Sequence, residues 1–156
     1  MLYRMLIPRA AAVVVDAGKV LVIKRYLRQQ QAADCVMCEA LGASGPMCAG
    51  HHYAVLPGGH VEDGETAEEA ALRELTEETT LTGEIDRLLW TGEHNKRPAY
   101  YYLMRDVRGT VQLSGPEAEN DRPDNSFELL WMEPGTLGSI GIHPPEVPSR
   151  LSELLG

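Results

Sequence analysis

The segment 66–80, TAEEAALRELTEETT, constrains the fold more than any other part of the chain. It is rich in Ala, Leu and Glu and contains neither Gly nor Pro, so it predicts a helix. Thr66 followed by Glu69 has the spacing of a capping box, which places the start of the helix at Thr66. A short apolar strand at 53–56 precedes it and stops at the Pro-Gly-Gly turn of residues 57–59. Strand, Gly-Gly turn and helix therefore follow one another closely.

Acidic residues concentrate in and just before this helix. Eight acids and one base lie between Glu62 and Glu78, so this window carries −7 of the net charge of −9. Glu74, Glu77 and Glu78 stand at i, i+3 and i+4, and their carboxylates project within an arc of about 100°. Like charges at this spacing destabilise a helix unless water or cations neutralise them. The pattern therefore indicates either a solvated acidic face or a site for a hard divalent cation such as Mg²⁺.

Residues 59–81 fit a spaced motif: Gly, five residues, Glu, seven residues, Arg-Glu-aliphatic, one residue, Glu-Glu, one residue, Gly, aliphatic. Eight of its nine specified positions are present. These eight are Gly59, Glu65, Arg73, Glu74, Leu75, Glu77, Glu78 and Leu81. The segment thus resembles the Nudix box, the signature of the Nudix hydrolase family. The resemblance implies an α+β fold, the Nudix α/β/α sandwich, with a mixed β-sheet and a catalytic helix after the Gly-Gly turn.

The rest of the chain is compatible with that fold. We expect a single Nudix domain over 1–156, with an insertion at about 28–52 that contains all three cysteines. Alternating apolar segments predict a hairpin formed by 10–16 and 20–26. Further predicted elements are strands at 85–93, 99–107, 110–113 and 127–133, and a short closing helix at 149–155 after Pro148.

The resemblance also implies a reaction, the hydrolysis of a diphosphate (pyrophosphate) linkage in a nucleoside diphosphate derivative by metal-activated water. The cofactor would be Mg²⁺ or Mn²⁺, and the partner a small nucleotide-derived substrate. Matching positions suggest Glu77 and Glu78 as metal ligands, with Glu74 as a ligand or as the base that orients water. Arg73 would hold Glu65 or a box glutamate by a charge-assisted hydrogen bond.

Further candidate residues lie outside these positions. In this family the backbone carbonyl at Gly58 commonly adds a metal ligand, and the loop of residues 115–117 often supplies an extra carboxylate, here Glu117. An ordinary surface acid is the competing interpretation of Glu117. Three basic residues are candidates for contact with substrate phosphate, each weighed against a solvated charge: Arg25, Lys96 and Arg97.

Two other classes of function stay open at this point. A Nudix-fold nucleotide-binding or sensor module would share the fold without turnover, although the presence of every box glutamate favours activity. A zinc-containing interaction module would carry the acidic helix only as a solvated surface. The box contacts the diphosphate and the metals, so the base and the group linked to the diphosphate are not determined by it.

Thr80 departs from the motif, which has Gly at this position. A Gly just past a helix end usually supplies the left-handed residue that terminates the helix. A β-branched Thr in that conformation costs about 1–2 kcal/mol. Either Thr80 accepts this cost, or the helix continues to Thr82 and stops at Gly83.

The predicted insertion holds a second constellation of chemical groups. Cys35, Cys38, Cys48 and His51 have the spacing C-x2-C-x9-C-x2-H, which suits a closed tetrahedral Zn²⁺ site of structural type. His52 is an alternative fourth ligand, and reduced, unliganded thiols are the competing interpretation. A disulfide is disfavoured in a cytosolic protein. Because the insertion leads into the Gly-Gly turn, we expect it to form a wall of the substrate cleft or a dimer contact.

Net charge and the length of the apolar runs limit the partners that we expect for this chain. A net charge of −9 argues against binding to bulk nucleic acid, because an acidic protein repels polyanions. The longest apolar run, residues 10–15, is far shorter than a membrane span of about 20 residues. We therefore expect a cytoplasmic protein with no membrane partner, and a homodimer as the assembly typical of such an enzyme.

Overall fold

The computed structural model describes residues 7–42 and 45–155, which contain eight strands and five α-helices. The strands are β1 (Arg9–Val13), β2 (Val15–Asp16), β3 (Lys19–Leu27), β4 (His51–Val55), β5 (Gly58–His60), β6 (Thr82–His94), β7 (Arg97–Arg108) and β8 (Asn125–Met132). The helices are α1 (Val36–Leu41), α2 (Ala67–Thr79), α3 (Gly115–Glu119), α4 (Leu137–Ile140) and α5 (Val147–Leu155). Single 3₁₀ turns occupy Ala32–Asp34 and Pro134–Thr136.

The strands form two four-stranded sheets. The first has the order β5-β1-β7-β6, with β1 parallel to β7 and its other pairs antiparallel. In the second, β3 pairs antiparallel with β2, β4 and β8. The expected α+β fold with a mixed sheet is confirmed.

Strand β1 is apolar at every position after Arg9 because both of its faces are buried. Ala10 and Ala12 lie in one hydrophobic cluster with α2, while Ala11 and Val13 lie in another with α5. A strand buried on both faces needs apolar side chains on both, so alternation disappears. Helices cover both sides of the strand, which gives the α/β/α layering.

The expected hairpin of 10–16 with 20–26 is wrong in part. Only Val15 and Asp16 pair with the start of β3, whereas residues 9–13 pair with β5 and β7 in the first sheet. The chain passes from one sheet to the other between β1 and β2. Local turn chemistry predicted the hairpin, but burial of β1 on both faces assigns it to the first sheet.

Three other expectations about secondary structure have clear outcomes. The strands expected at 85–93 and 99–107 are confirmed as the longer, bulged hairpin of β6 and β7. The strand expected at 127–133 is confirmed as β8. A strand at 110–113 is wrong: the backbone N–H of Gln112 instead donates to the carbonyl of Thr79, at the end of α2 (3.0 Å).

Helix α2 starts and stops where its ends find hydrogen-bond partners. Both capping-box bonds between Thr66 and Glu69 are present, each 3.1 Å long. The helix ends at Thr79, and Thr80 takes the left-handed conformation with φ of 64°. The alternative in which the helix continues to Thr82 is wrong, because Thr82 begins β6. The hydroxyl of Thr80 lies 2.5 Å from the carbonyl oxygen of Thr110, which partly offsets the conformational cost.

The insertion expected at about 28–52 contains the first 3₁₀ turn and α1, and its last two residues belong to β4. Residues 43 and 44 of that range lie outside the described residues, as do both ends of the expected domain 1–156. Its apolar side chains, together with Leu27 of β3 and Tyr53 of β4, form a small cluster separate from those around β1. The buried members from the insertion are Cys35, Met37, Cys38 and Cys48.

The closing helix expected at 149–155 is confirmed as α5, which starts slightly earlier at Val147. Val147 and Leu151 are fully buried against the cluster around Trp90 and Tyr101. At 13 residues, α2 is the longest helix in the part of the chain that the structure describes. No helix there has the length and apolarity needed to cross a bilayer.

Thr80 offers a test of how α2 ends. Thr80→Gly and Thr80→Ala both remove the hydroxyl, but only Ala keeps a Cβ in the left-handed conformation. We expect the Gly variant to be more stable than the Ala variant by about 1 kcal/mol in urea unfolding. An Ala variant as stable as the Gly variant would contradict the left-handed assignment.

Candidate active site

The three carboxylates of α2 differ in their exposure. Glu78 is buried, with only 3% of its surface exposed, because it continues the face that Ala71 and Leu75 pack against β1. The Glu74 side chain is 13% exposed and that of Glu77 is 45% exposed, so Glu77 lies at the rim. A single turn of α2 thus carries both a solvated carboxylate, Glu77, and a desolvated one, Glu78.

Each glycine of the turn before α2 lets its backbone lie close to another part of the site. A Cβ on Gly58 would lie 2.5 Å from the carbonyl oxygen of Ala10, so β5 pairs tightly with β1 only without a side chain there. A Cβ on Gly59 would lie 2.5 Å from the carboxyl carbon of Glu74. The Gly-Gly turn therefore places its backbone directly against a carboxylate of the helix.

Arg73 binds the carboxylates at the rim. Its guanidinium makes two hydrogen bonds to Glu65 (2.8 and 3.1 Å), and it also donates to Glu74 (3.0 Å) and Glu77 (3.3 Å). A further bond to the carbonyl oxygen of His60 (3.0 Å) ties it to β5. The hydrogen bonds from Arg73 lower the pKa of Glu65, and those to Glu65 raise the pKa of Arg73. The sequence offered Glu65 or a box glutamate as the partner of Arg73, and the structure places both kinds beside it.

Residues 110–117 bring Glu117 to the site. The N–H of Ser114 donates to the carbonyl oxygen of Glu78 (3.2 Å), and its hydroxyl donates to that of Glu77. Gly115 has a φ of 67°, and a Cβ there would lie 2.8 Å from the Glu77 carbonyl oxygen. Helix α3 therefore starts against the end of α2. This contact satisfies carbonyls that the end of a helix leaves without partners.

Two carboxylates at this site form no ion pair with the described part of the chain. None of its ion pairs involves Glu78 or Glu117, and Oε2 of Glu117 is shielded from solvent without a hydrogen-bond partner there. Burial raises the pKa of Glu78 well above its usual range, and the Glu74 and Glu117 carboxyls raise it further. Burial is also the main reason that the pKa of Glu117 is raised. An oxygen-only, negatively charged donor set with an unpartnered buried oxygen fits a hard divalent cation.

The predicted phosphate contacts fall in two places. Arg25 lies in β3, where its guanidinium donates to the carbonyl oxygen of Ser126 (3.2 Å) and stacks 3.9 Å from the ring centre of Phe127. It is close enough to Glu117 to lower the pKa of that carboxyl. Lys96 and Arg97 instead lie at the turn between β6 and β7, beside a cavity.

That cavity has a volume of about 790 Å³, and one of its lining residues is His60, whose backbone carbonyl accepts a hydrogen bond from Arg73 (3.0 Å). Its basic and imidazole side chains come from β1, β5, the β6–β7 turn and the loop before α5. They are Arg9, His60, His94, Lys96, Arg97 and His143. Sequence reasoning missed Arg9 and His60. The sequence feature that could have indicated Arg9 is its position directly before the apolar run of residues 10–15.

The four residues of the C-x2-C-x9-C-x2-H spacing lie together, and we call them the Cys3His cluster: Cys35, Cys38, Cys48 and His51. Their ligand atoms all lie within 4.8 Å of one another, and the three cysteines are free and buried. Nε2 of His51 lies 3.2 Å from Sγ of Cys38. His52, the alternative ligand, lies outside the cluster and packs its ring against Tyr26. Successive residues of β4 point to opposite faces, so only one of the two histidines can face the thiols.

The fold and the carboxylate cluster together define an α/β/α domain built around an acidic helix, and comparison with known proteins identifies its family. The model of the NUDIX domain matches residues 5–151, so the chain belongs to the Nudix family. It is 33% identical over 99 residues to an uncharacterized Nudix hydrolase, orf19, of Rhodococcus erythropolis. It is 39% identical over 105 residues to a putative mutator protein, MutT4, of Mycobacterium tuberculosis.

These alignments cover only parts of the proteins compared. They span 58% and 62% of this chain, but 51% of the Rhodococcus protein and 35% of the Mycobacterium protein. Among solved structures, the MutT NUDIX hydrolase of Burkholderia pseudomallei is 24% identical with a TM-score of 0.61. That match covers 95% of this chain and 97% of the other. At this identity the likeness shows the shared fold.

His94, which lines the cavity, makes the stability of the folded state depend on pH. Burial and the nearby charges of Arg9 and Arg97 lower its pKa to about 2, from 6.5. As the pH falls below 6.5, the unfolded chain takes up a proton at His94 and the folded chain does not, so the folded state loses stability. We expect this loss between pH 6.5 and 5.5, with an upper limit of about 1.4 kcal/mol per pH unit.

Urea unfolding at pH 7.5, 6.5 and 5.5 measures this loss, and His94→Gln is the matched variant. The variant should lose less stability than the wild type over the same pH interval. Equal losses in the two proteins would show that His94 does not carry the effect.

Proposed function

We propose that this chain is a metal-dependent hydrolase that cleaves the diphosphate linkage of a small nucleoside diphosphate derivative. The carboxylates of Glu74, Glu77, Glu78 and Glu117, with the backbone carbonyl of Gly58, would hold Mg²⁺ or Mn²⁺. Membership of the Nudix family supports the reaction class. A homodimer and a cytoplasmic location stay predictions from the sequence.

The carboxylates of Glu78 and Glu117 carry this proposal: Glu78 is buried, Oε2 of the half-buried Glu117 is shielded from solvent, and neither residue forms an ion pair in the described part of the chain. Desolvating a carboxylate without a partner is costly, so proteins normally pair such a group or bind a metal with it. The described cation in contact with the cluster, Arg73, is already engaged by Glu65, Glu74 and Glu77 at the rim. The innermost carboxylates therefore have a deficit of positive charge that a divalent cation would supply.

The same deficit explains how an acidic site can accept an anionic substrate. A divalent cation bound by these oxygens would neutralise the diphosphate, polarise its phosphoryl oxygens and acidify the attacking water. Glu74 lies against the turn at Gly59, where its second carboxylate oxygen can orient water or complete the ligand set. Arg73 fixes the rotamers of Glu65, Glu74 and Glu77 through five shared hydrogen bonds to these side chains and His60.

The cavity beside His60 is the place for the rest of the substrate. Its volume of about 790 Å³ lies within the range of small-molecule sites, roughly 300–1,000 Å³. Arg9, Lys96 and Arg97 supply positively charged groups that could contact a phosphorylated ligand, although Glu39, Glu93 and Glu146 also line the cavity.

A phosphate-release panel with Mg²⁺ tests the reaction and identifies the linked group. The panel contains ordinary and oxidised nucleoside triphosphates, ADP-ribose, nucleotide sugars and dinucleoside polyphosphates, coupled to phosphatase or pyrophosphatase. We expect turnover of at least one class that chelation abolishes. Nucleotide binding without turnover, with Mn²⁺ also tried, would favour a binding or sensor module and contradict the hydrolase.

Glu78→Gln is the sharpest variant, because it keeps the shape of the side chain and removes its charge. We expect turnover to fall about 100-fold or more, as for removal of a metal ligand. Without divalent cations the variant should melt at or above the temperature of the wild type, since a costly buried charge is gone. Added Mg²⁺ should raise the melting temperature of the wild type more than that of the variant.

Glu119→Gln is the matched control, because Glu119 is exposed at the end of α3 and is two residues from Glu117. It changes the net charge equally and should leave turnover and the Mg²⁺-induced melting shift unchanged. Near-normal turnover of Glu78→Gln would contradict the assignment of Glu78 as a metal ligand.

A further inference from the structure

The insertion has little apolar burial of its own. Of the six buried residues in its cluster, three are the cysteines. Val36, Leu41 and Met47 are large apolar residues of the insertion that stay 57–69% exposed. Helix α1 has only six residues, far below the length at which an isolated helix is stable. Hydrophobic burial is therefore a weak explanation for the ordered course of α1.

A metal ion bound by the Cys3His cluster would be an alternative explanation for the ordered course of α1. Two ligands about 2.0–2.3 Å from a common zinc at the tetrahedral angle lie roughly 3.5–3.8 Å apart. The ligand atoms here lie within 4.8 Å of one another, and Cys38 and His51 approach to 3.2 Å. Small side-chain adjustments would bring all four onto one ion.

A backbone amide already points at a sulfur atom of the cluster. The N–H of Cys38 donates to Sγ of Cys35 (3.5 Å), which forms the N-cap of α1. A donor directed at sulfur stabilises the thiolate form, which is the form that binds a metal.

The position of α1 gives the cluster a consequence at the cavity. Cys35 caps the start of the helix, and Cys38 on the helix lies against His51 at the start of β4. Val36, Glu39 and Ala40 line the cavity beside His60. One short helix therefore carries both the thiols and a wall of the cavity.

We infer that the Cys3His cluster is a structural zinc site that holds α1 in place as a wall of the cavity. Zinc is favoured over hard cations because three sulfurs and one imidazole form a soft, four-coordinate set. All four positions belong to the protein, so no open position is left for water or substrate. The effect on the cavity rests on the proposed hydrolase function, whereas the zinc site itself does not.

Metal analysis of tag-free protein, purified without chelator, tests the site directly. We expect about one zinc per chain, because the four ligands share one ion. Cys38→Ser should retain less than about a tenth of that amount at the same free zinc. His51→Ala should lose zinc, while His52→Ala, the matched control, should keep it. Zinc well below one per chain in folded, tag-free wild type, or equal loss in both histidine variants, would overturn the site.

Two measurements keep the test decisive if a cysteine variant fails to fold. The wild-type protein treated with a zinc chelator should expose three thiols to a thiol reagent and melt at a lower temperature. Protein loaded with Co²⁺ should show the visible absorption of tetrahedral cobalt with thiolate charge-transfer bands. Thiols that react equally before and after chelation, or octahedral cobalt spectra, would contradict the site.

Kinetics test the effect on the cavity wall and separate it from catalysis. With a substrate identified by the panel, zinc-depleted enzyme in Mg²⁺ should show a KM raised several-fold and a kcat within about twofold of the wild type. Glu78→Gln should show the reverse, a lost kcat with full zinc content. Unchanged KM after zinc loss would overturn the role of α1, and a lost kcat with unchanged KM would assign the ion to catalysis.

Discussion

The negative charge on one face of α2 is only partly neutralised by the residues that the structure describes, and the arrangement of the site follows from that imbalance. Arg73 neutralises the rim by sharing its hydrogen bonds among Glu65, Glu74 and Glu77. Glu78 points inward along the packed face of the helix and pairs with none of the described bases. A buried carboxylate in this position is costly until a cation joins it. The burial that packs α2 on β1 thus also creates the need for a metal.

The segment after β7, residues 110–117, both provides donors for the end of α2 and positions Glu117. The last carbonyls of α2 need donors, and Gln112 and Ser114 supply them. The same contacts hold α3 against the helix end and so bring Glu117 toward Glu78. Thr80 can depart from the usual glycine because its hydroxyl also bonds this segment, at Thr110. The contacts that satisfy the last carbonyls of α2 therefore also bring Glu117 to the other carboxylates.

Much of this site could be predicted from local spacing, and the remainder depends on contacts distant in sequence. Helical periodicity placed the glutamates on one face, and residue types placed the cap at Thr66. The strand expected at 110–113 was wrong because its backbone donors are used by α2, which no local pattern reveals. Burial of β1 on both faces likewise overrode the expected hairpin. Arg9 escaped notice because its proximity to His60 arises only from the pairing of β1 with β5.

A crystal soaked in Mn²⁺ and measured near the manganese absorption edge would show directly whether Glu78 and Glu117 share a divalent cation. We expect an anomalous difference peak within coordination distance of carboxylate oxygens from both residues, with Glu74 or Glu77 completing the set. Data from an unsoaked crystal should lack that peak. Peaks confined to exposed acids, with Glu78 and Glu117 left without a metal, would contradict this expectation.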